Sequence, residues 1–130
     1  MLGNFQQSHL RIEVEAPART LEDSLLHPGK LRQWLWVQQF SPVPPEQFYS
    51  GFTFTTGVEP VVIKHQVEVA NSHCLRLLLS QGIDGYQEWR WGEGWVQCRL
   101  EGISLLPLNL LQTLSLLRLR QFVASQSQTG

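Results

Sequence analysis

Charge is scarce in this sequence and nearly balanced. Charged residues make up 16% of the chain and the formal net charge is −1. The dense basic surface that neutralises phosphate backbones is therefore missing, and no nucleic-acid partner is expected. Long apolar runs are also missing: no stretch approaches the roughly 20 residues that cross a bilayer. The opening MLGNFQQSHLRIEVE has no basic region followed by an apolar one, so no signal peptide is visible and a soluble cytoplasmic chain is expected. Cysteine is rare. Cys74 and Cys98 fall in different predicted strands with a third between them, and two strand spacings put them roughly 9–10 Å apart. That is beyond disulfide reach, so both are expected as free thiols, which suits a reducing compartment. There is no HExxH and no CxxC, and the histidines are not at ligand spacing, so neither metal nor cofactor is expected. Gly102-Ile103-Ser104-Leu105-Leu106 lacks the second glycine of a nucleophile elbow, and Gly92-Glu93-Gly94 lacks the third glycine of a dinucleotide loop.

What is present is apolar content of 42% over 130 residues, enough for one domain with a real core. Residues 8–16, SHLRIEVEA, put Leu10, Ile12, Val14 and Ala16 on one face and His9, Arg11, Glu13 and Glu15 on the other, as in a half-buried strand. Pro17 ends it and can open a helix, while Thr20-Leu21-Glu22-Asp23 also fits a capping box, which leaves two possible starts. His27-Pro28-Gly29 breaks this helix, and a second short one is predicted over 30–35, with Leu31, Trp34 and Leu35 inward. From Trp36 the period becomes two. A short strand at 36–40 precedes SPVPPEQ, whose prolines demand loop or sheet edge. Strands follow at 48–56, 60–70, 73–80, 86–91 and 95–103, and their short connections make neighbours antiparallel.

The stretch 105–126, LLPLNLLQTLSLLRLRQFVASQ, is the long helical candidate. At about 100° per residue, Leu110, Leu114 and Leu117 fall on one side, while Leu108, Leu111, Leu116, Leu119, Phe122 and Val123 spread over much of the other. A helix apolar on two sides must be covered on both. A sheet can cover one; the other faces a ligand cavity, the rest of the core or a partner chain. Residues 125–130 are expected to be a frayed tail of a single domain spanning 1–130.

The order of strand, two short helices, antiparallel strands and one long helix resembles the helix-grip proteins called START-like or SRPBCC, which include the birch-pollen allergen group and polyketide cyclases. The most specific stretch is APARTLEDSLLHPGKLRQWL at 16–35, which looks like the family's strand exit, paired helices and helix-ending tryptophan, here Trp34. His27 departs from the pattern, since an acidic residue before the proline is common, and the strands are compact for the family. The resemblance implies an α+β fold: a curved antiparallel sheet of six to seven strands around the C-terminal helix, with two short helices after the first strand. It also implies a pocket between sheet and helix for an apolar molecule such as a lipid, isoprenoid, polyketide or pigment. Some members are cyclases or aromatases, so fold alone does not separate binder from enzyme.

Among polar residues His65 stands out, because in VVIKHQVEV it shares a face with Val61, Ile63, Val67 and Val69. An inward histidine can bond a ligand or transfer a proton; the favoured reading is a core histidine satisfied by a backbone carbonyl or water. In YQEWRWGEGW at 86–95 the inward set depends on register. Pairing Trp91 with Val96 turns Trp89 and Trp91 inward and leaves Glu88 opposite Arg99 outside. Pairing Trp91 with Trp95 instead turns Glu88 and Arg90 inward as a candidate catalytic or anchoring pair. The first register is preferred because it buries apolar groups. Trp34, Phe52, Phe54 and Leu77 complete one part of the candidate ligand-binding set, with His65, Trp89 and Trp91. Leu110, Leu114 and Leu117 supply the rest from the helix. For the aromatics, ordinary core packing is the competing reading. Three functions follow: a binder of an apolar molecule in a cavity of roughly 300 Å³ or more; a cyclase-type enzyme using His65 or Glu88; or an interaction protein forming a homodimer through the long helix.

Overall fold

The structure is a computed structural model that describes residues 3–41 and 43–129; Met1 and Leu2, Pro42 of the predicted proline loop and Gly130 of the expected tail lie outside it. Strand β1 (Asn4–Glu13) leads into helices α1 (Ala18–Leu26) and α2 (Pro28–Trp34). Strands β2 (Val37–Ser41), β3 (Thr53–Thr56), β4 (Ile63–Asn71), β5 (Cys74–Gln81), β6 (Asp84–Gly92) and β7 (Trp95–Ser104) follow, and helix α3 (Leu108–Thr129) closes the chain. All seven strands form one antiparallel sheet in the order β1-β7-β6-β5-β4-β3-β2. Register shifts at Val37/Gln39 and Val67/Val69 add local bend and twist. The layout is the expected α+β arrangement, with two short helices after the first strand.

Several boundaries differ from expectation for local reasons. β1 begins at Asn4 because its backbone pairs with β7 all the way to Ser104, although NFQQ carries no alternating pattern. β3 is shorter than the predicted 48–56: Gly51 adopts a positive φ of 96°, and Phe52 N donates to Tyr49 O, so 49–52 is a turn that still buries Phe52. The start of α1 is at Ala18, with extended Pro17 as its cap residue, and the capping box at Thr20 does not form. The Ala18 N–H instead donates to the Glu93 carboxylate of the β6–β7 hairpin at 3.1 Å. α2 opens on Pro28, whose fixed φ and missing N–H suit a first helical position. α3 continues to Thr129, past the point at Ser125 where fraying is expected.

The hairpin takes the register that buries its tryptophans: Trp91 pairs with Val96 and Glu88 with Arg99. Trp89 and Trp91 are buried with Val96, Cys98 and Leu100. Trp34 meets Trp89 edge to face at 5.8 Å, and its indole N–H donates to Ser24 O at 3.0 Å, which satisfies the one polar atom it buries. Phe48 and Phe54 stack at 5.3 Å, with Phe52 and Phe40 beside them. These aromatics fill the space between the short helices and the sheet.

α3 buries Leu108, Gln112, Leu116, Leu119 and Val123, a stripe at spacings of four, four, three and four. It lies on β1 and β7 and is braced by α1 and α2. Gln112 sits at the centre of that stripe and is fully buried. Its amide donates to Cys98 O at 2.7 Å and to Ser8 O at 3.1 Å, and its carbonyl accepts from the Ser8 hydroxyl. Gln6 completes the seam: its carbonyl accepts from Leu108 N at 3.1 Å, capping the helix from across the fold. With α3 fastened to one end of the sheet, a gap opens between it and the other strands. No helix among the described residues is long and apolar enough to cross a membrane.

Candidate ligand-binding cavity

The gap is a cavity of about 330 Å³. Its floor is the inward face of the sheet: Thr56 of β3, Ile63 and His65 of β4, Leu79 of β5, Gln87 of β6 and Leu100 of β7. Leu111, Gln112, Leu114 and Ser115 of α3 form the roof, and Leu35 and Trp36 close the side nearest the short helices. Val58 and Leu114 line it yet are 67% and 40% exposed, so the mouth lies between the β3–β4 loop and the middle of α3. Gly57 on that loop has φ +129°, and a Cβ there would collide with Val61 O, so the tight loop at the mouth requires glycine.

No Asp, Glu, Lys or Arg lines the cavity among the described residues. Its polar groups are few. Ser115 donates to Leu111 O at 2.9 Å within the helix, and the Gln112 amide is occupied by strand carbonyls. Gln87 Nε2 reaches Cys98 Sγ at 3.5 Å. His65 lies flat on Phe54, ring centroids 4.7 Å apart and planes within 1°, and its Nε2 is 2.7 Å from Thr56 Oγ1. Its Nδ1 is buried without a partner. Burial pushes the imidazole down to about 3, so it is neutral at ordinary pH. The same cause pushes the Cys98 thiol up to about 12, so it stays protonated, and both cysteines are free.

Of the candidate ligand-binding residues, His65 and Leu114 reach this cavity. Trp34, Phe52, Phe54, Leu77, Trp89 and Trp91 are buried in the packed core instead. Leu110 and Leu117 face solvent, 53% and 38% exposed. The helix geometry explains this: Leu110 and Leu117 lie about 140–160° round the axis from Gln112, which anchors the buried stripe, whereas Leu114 lies about 160° round in the opposite sense, on the side of the cavity-lining Leu111 and Ser115, and so overhangs the mouth. Glu88 points outward. Burial raises its carboxyl, but hydrogen bonds from Arg90 at 3.0 Å and Arg76 at 3.1 Å outweigh that and hold it below the ordinary range. The inward Glu88/Arg90 pair of the other register does not form.

Thr56, Gln87, Gln112 and Ser115 were not singled out by sequence, although three had a signal. Thr56 follows Phe54 by two residues on the inward face, and Gln87 precedes Trp89 by two on the face the chosen register turns in. Gln112 occupies the position midway between Leu108 and Leu116, one helical turn from each.

The sequence matches no protein family profile and no curated protein. Its structure is nonetheless similar to solved ones at low identity. Major latex-like protein 151 from Panax ginseng superposes with a TM-score of 0.69 at 9% identity, covering 95% of this chain and 98% of that one. A norcoclaurine synthase point mutant from Thalictrum, in complex with a transition-state analogue, gives 0.66 at 13%, covering 98% and 99%. The Aha1 dimer from Colwellia psychrerythraea gives 0.65 at 13%, covering 91% and 96%. With the seven-stranded antiparallel sheet, the paired short helices and the terminal helix, these likenesses establish that the chain has the helix-grip fold of START-like (SRPBCC) proteins.

Proposed function

We propose that the protein binds an apolar small molecule in the cavity between the sheet and α3. The observation that carries this reading is a cavity of about 330 Å³ between sheet and helix, lined mainly by apolar side chains with a few polar groups among them. A void that size left unfilled costs stability through lost packing, and its volume lies at the low end for small-molecule sites. The likeness to norcoclaurine synthase, solved with a bound transition-state analogue, is consistent with a scaffold that can hold a ligand. Free thiols support placing it in a reducing compartment such as the cytoplasm. Titrating the protein with the fluorescent probe N-phenyl-1-naphthylamine tests the proposal. Saturable binding that is lost when Val61→Trp fills the cavity supports it; binding unaffected by Val61→Trp contradicts it.

A cyclase-type reaction is less well supported. Glu88 lies outside, and the neutral His65, with its pKa near 3, is a poor base at neutral pH. A second reading rests on a separate observation: Leu105, Leu110 and Leu117 leave an apolar surface on and beside α3. Self-association through that surface would cover the helix's other apolar side. Light scattering decides it, since a monomer at high concentration removes the idea.

A further inference from the structure

Resting on the ligand-binding reading, we infer that the cavity selects an uncharged molecule bearing a hydrogen-bond acceptor, a carbonyl above all, and holds that acceptor with the Thr56 hydroxyl. The argument starts from the pair formed by His65 Nε2 and Thr56 Oγ1, 2.7 Å apart. A neutral imidazole carries one N–H and one bare nitrogen. If the proton were on Nδ1, a buried N–H would stand without an acceptor, because Nδ1 has no partner. An orphaned buried donor is rarer and costlier than an under-used acceptor. With the proton on Nε2, which then donates to Thr56 Oγ1, the donor left over is the Thr56 hydroxyl, and that group lines the cavity, where water or a ligand can accept from it, whereas an Nδ1–H would be sealed in; this tautomer is the one the site favours.

That assignment fixes the polarity of the threonine. Its oxygen is an acceptor towards His65, so its own hydrogen remains available to donate. Thr56 lines the cavity, and the side chains around that wall, Ile63, Val61 and Leu79, are apolar. A ligand carbonyl reaching this wall meets a directed O–H in surroundings where a hydrogen bond is not diluted by water. A carboxylate meets no cation there: among the described residues no Lys or Arg lines the cavity, and the buried His65 is neutral. Ionised groups without a partner are strongly disfavoured in such a place. A ligand with an acid head is thus excluded from the Thr56 wall and can only leave that head at the mouth.

Three probes on one skeleton test this by calorimetry or fluorescence titration: 2-ethylnaphthalene, 2-acetylnaphthalene and 2-naphthoate. The ketone is expected to bind roughly 3- to 10-fold tighter than the hydrocarbon, the range of one net hydrogen bond. The naphthoate is expected to bind no tighter than the hydrocarbon. Thr56→Val should erase the ketone's advantage over the hydrocarbon, while Thr56→Ser should retain it. An advantage that survives Thr56→Val, or equal binding of ketone and hydrocarbon, overturns the inference while leaving the cavity reading intact. Failure of all three probes to bind overturns both. Wild-type protein gives an independent check if Thr56→Val does not fold: the infrared carbonyl stretch of bound 2-acetylnaphthalene should lie below its value in hexane. A stretch equal to the hexane value also overturns the inference.

Discussion

The side chain of Gln112 and the backbone carbonyl of Cys98 are joined by a hydrogen bond of 2.7 Å, and the same amide reaches Ser8 O at 3.1 Å. One residue thereby fastens α3 to two adjacent strands in a fully buried setting. Replacing it with alanine leaves two strand carbonyls and the Ser8 hydroxyl short of partners, each costing in proportion to its desolvation. Gln112→Ala is expected to lower unfolding free energy by about 2–4 kcal/mol in urea denaturation. A loss below about 0.5 kcal/mol would mean that the amide does not hold the helix.

His65 should leave a mark on acid stability. Its pKa is pushed to about 3 in the folded state from an unfolded value of 6.5, so between those values the unfolded chain binds a proton that the folded chain does not. The stabilising contribution of the neutral imidazole is complete above about pH 6.5 and is lost as pH falls towards 3. Its limiting slope is about 1.4 kcal/mol per pH unit. His65→Phe keeps a ring against Phe54 and removes the titration. Urea midpoints from pH 7 to 4.5 should fall less steeply for the variant than for the parent; parallel curves would count against a buried neutral histidine.

The two thiols should differ in reactivity. Burial raises both, Cys98 to about 12, and Cys98 is fully shielded between β6 and α3. Thiolate is the reacting species, so iodoacetamide at pH 8 should leave Cys98 unlabelled until the protein unfolds, with any native-state label on Cys74. Mass spectrometry of digests reads this directly, and prompt native labelling of Cys98 would contradict the packing described.

Leu110 and Leu117 are surface residues in this fold. Leu110→Lys and Leu117→Glu should each change unfolding free energy by no more than about 0.5 kcal/mol. If α3 mediates self-association, the double variant lowers the scattering mass to that of a monomer. A large loss of stability in a protein that stays monomeric would place these leucines in a core, against their observed exposure.

Period and punctuation carried much of the fold. The alternation around Leu10 and Ile12, the break at His27-Pro28-Gly29 and the run of short strands were legible because each is a local rule about which face is buried. The hairpin register was legible as well, since sliding Trp91 from Val96 to Trp95 would bury charge and expose indoles. The cavity was harder to read. Aromatic residues such as Trp34, Phe54 and Trp89 suggest a pocket wall, yet large rings that pack edge to face fill space and do not leave it. The open space lies where smaller and partly polar side chains meet, at Thr56, Gln87 and Ser115. That meeting depends on where α3 is fastened, and the fastening is made by Gln112, a polar residue in an apolar stripe.

The most direct test of a ligand site between sheet and helix is a backbone amide NMR titration of the wild-type protein with 2-acetylnaphthalene. Binding in the cavity should shift the amides of Thr56, His65, Leu79, Gln87 and Ser115 together, with one saturation curve. Shifts confined to Leu110 and Leu117 on the outer face of α3, or no shifts at saturating probe, would contradict it.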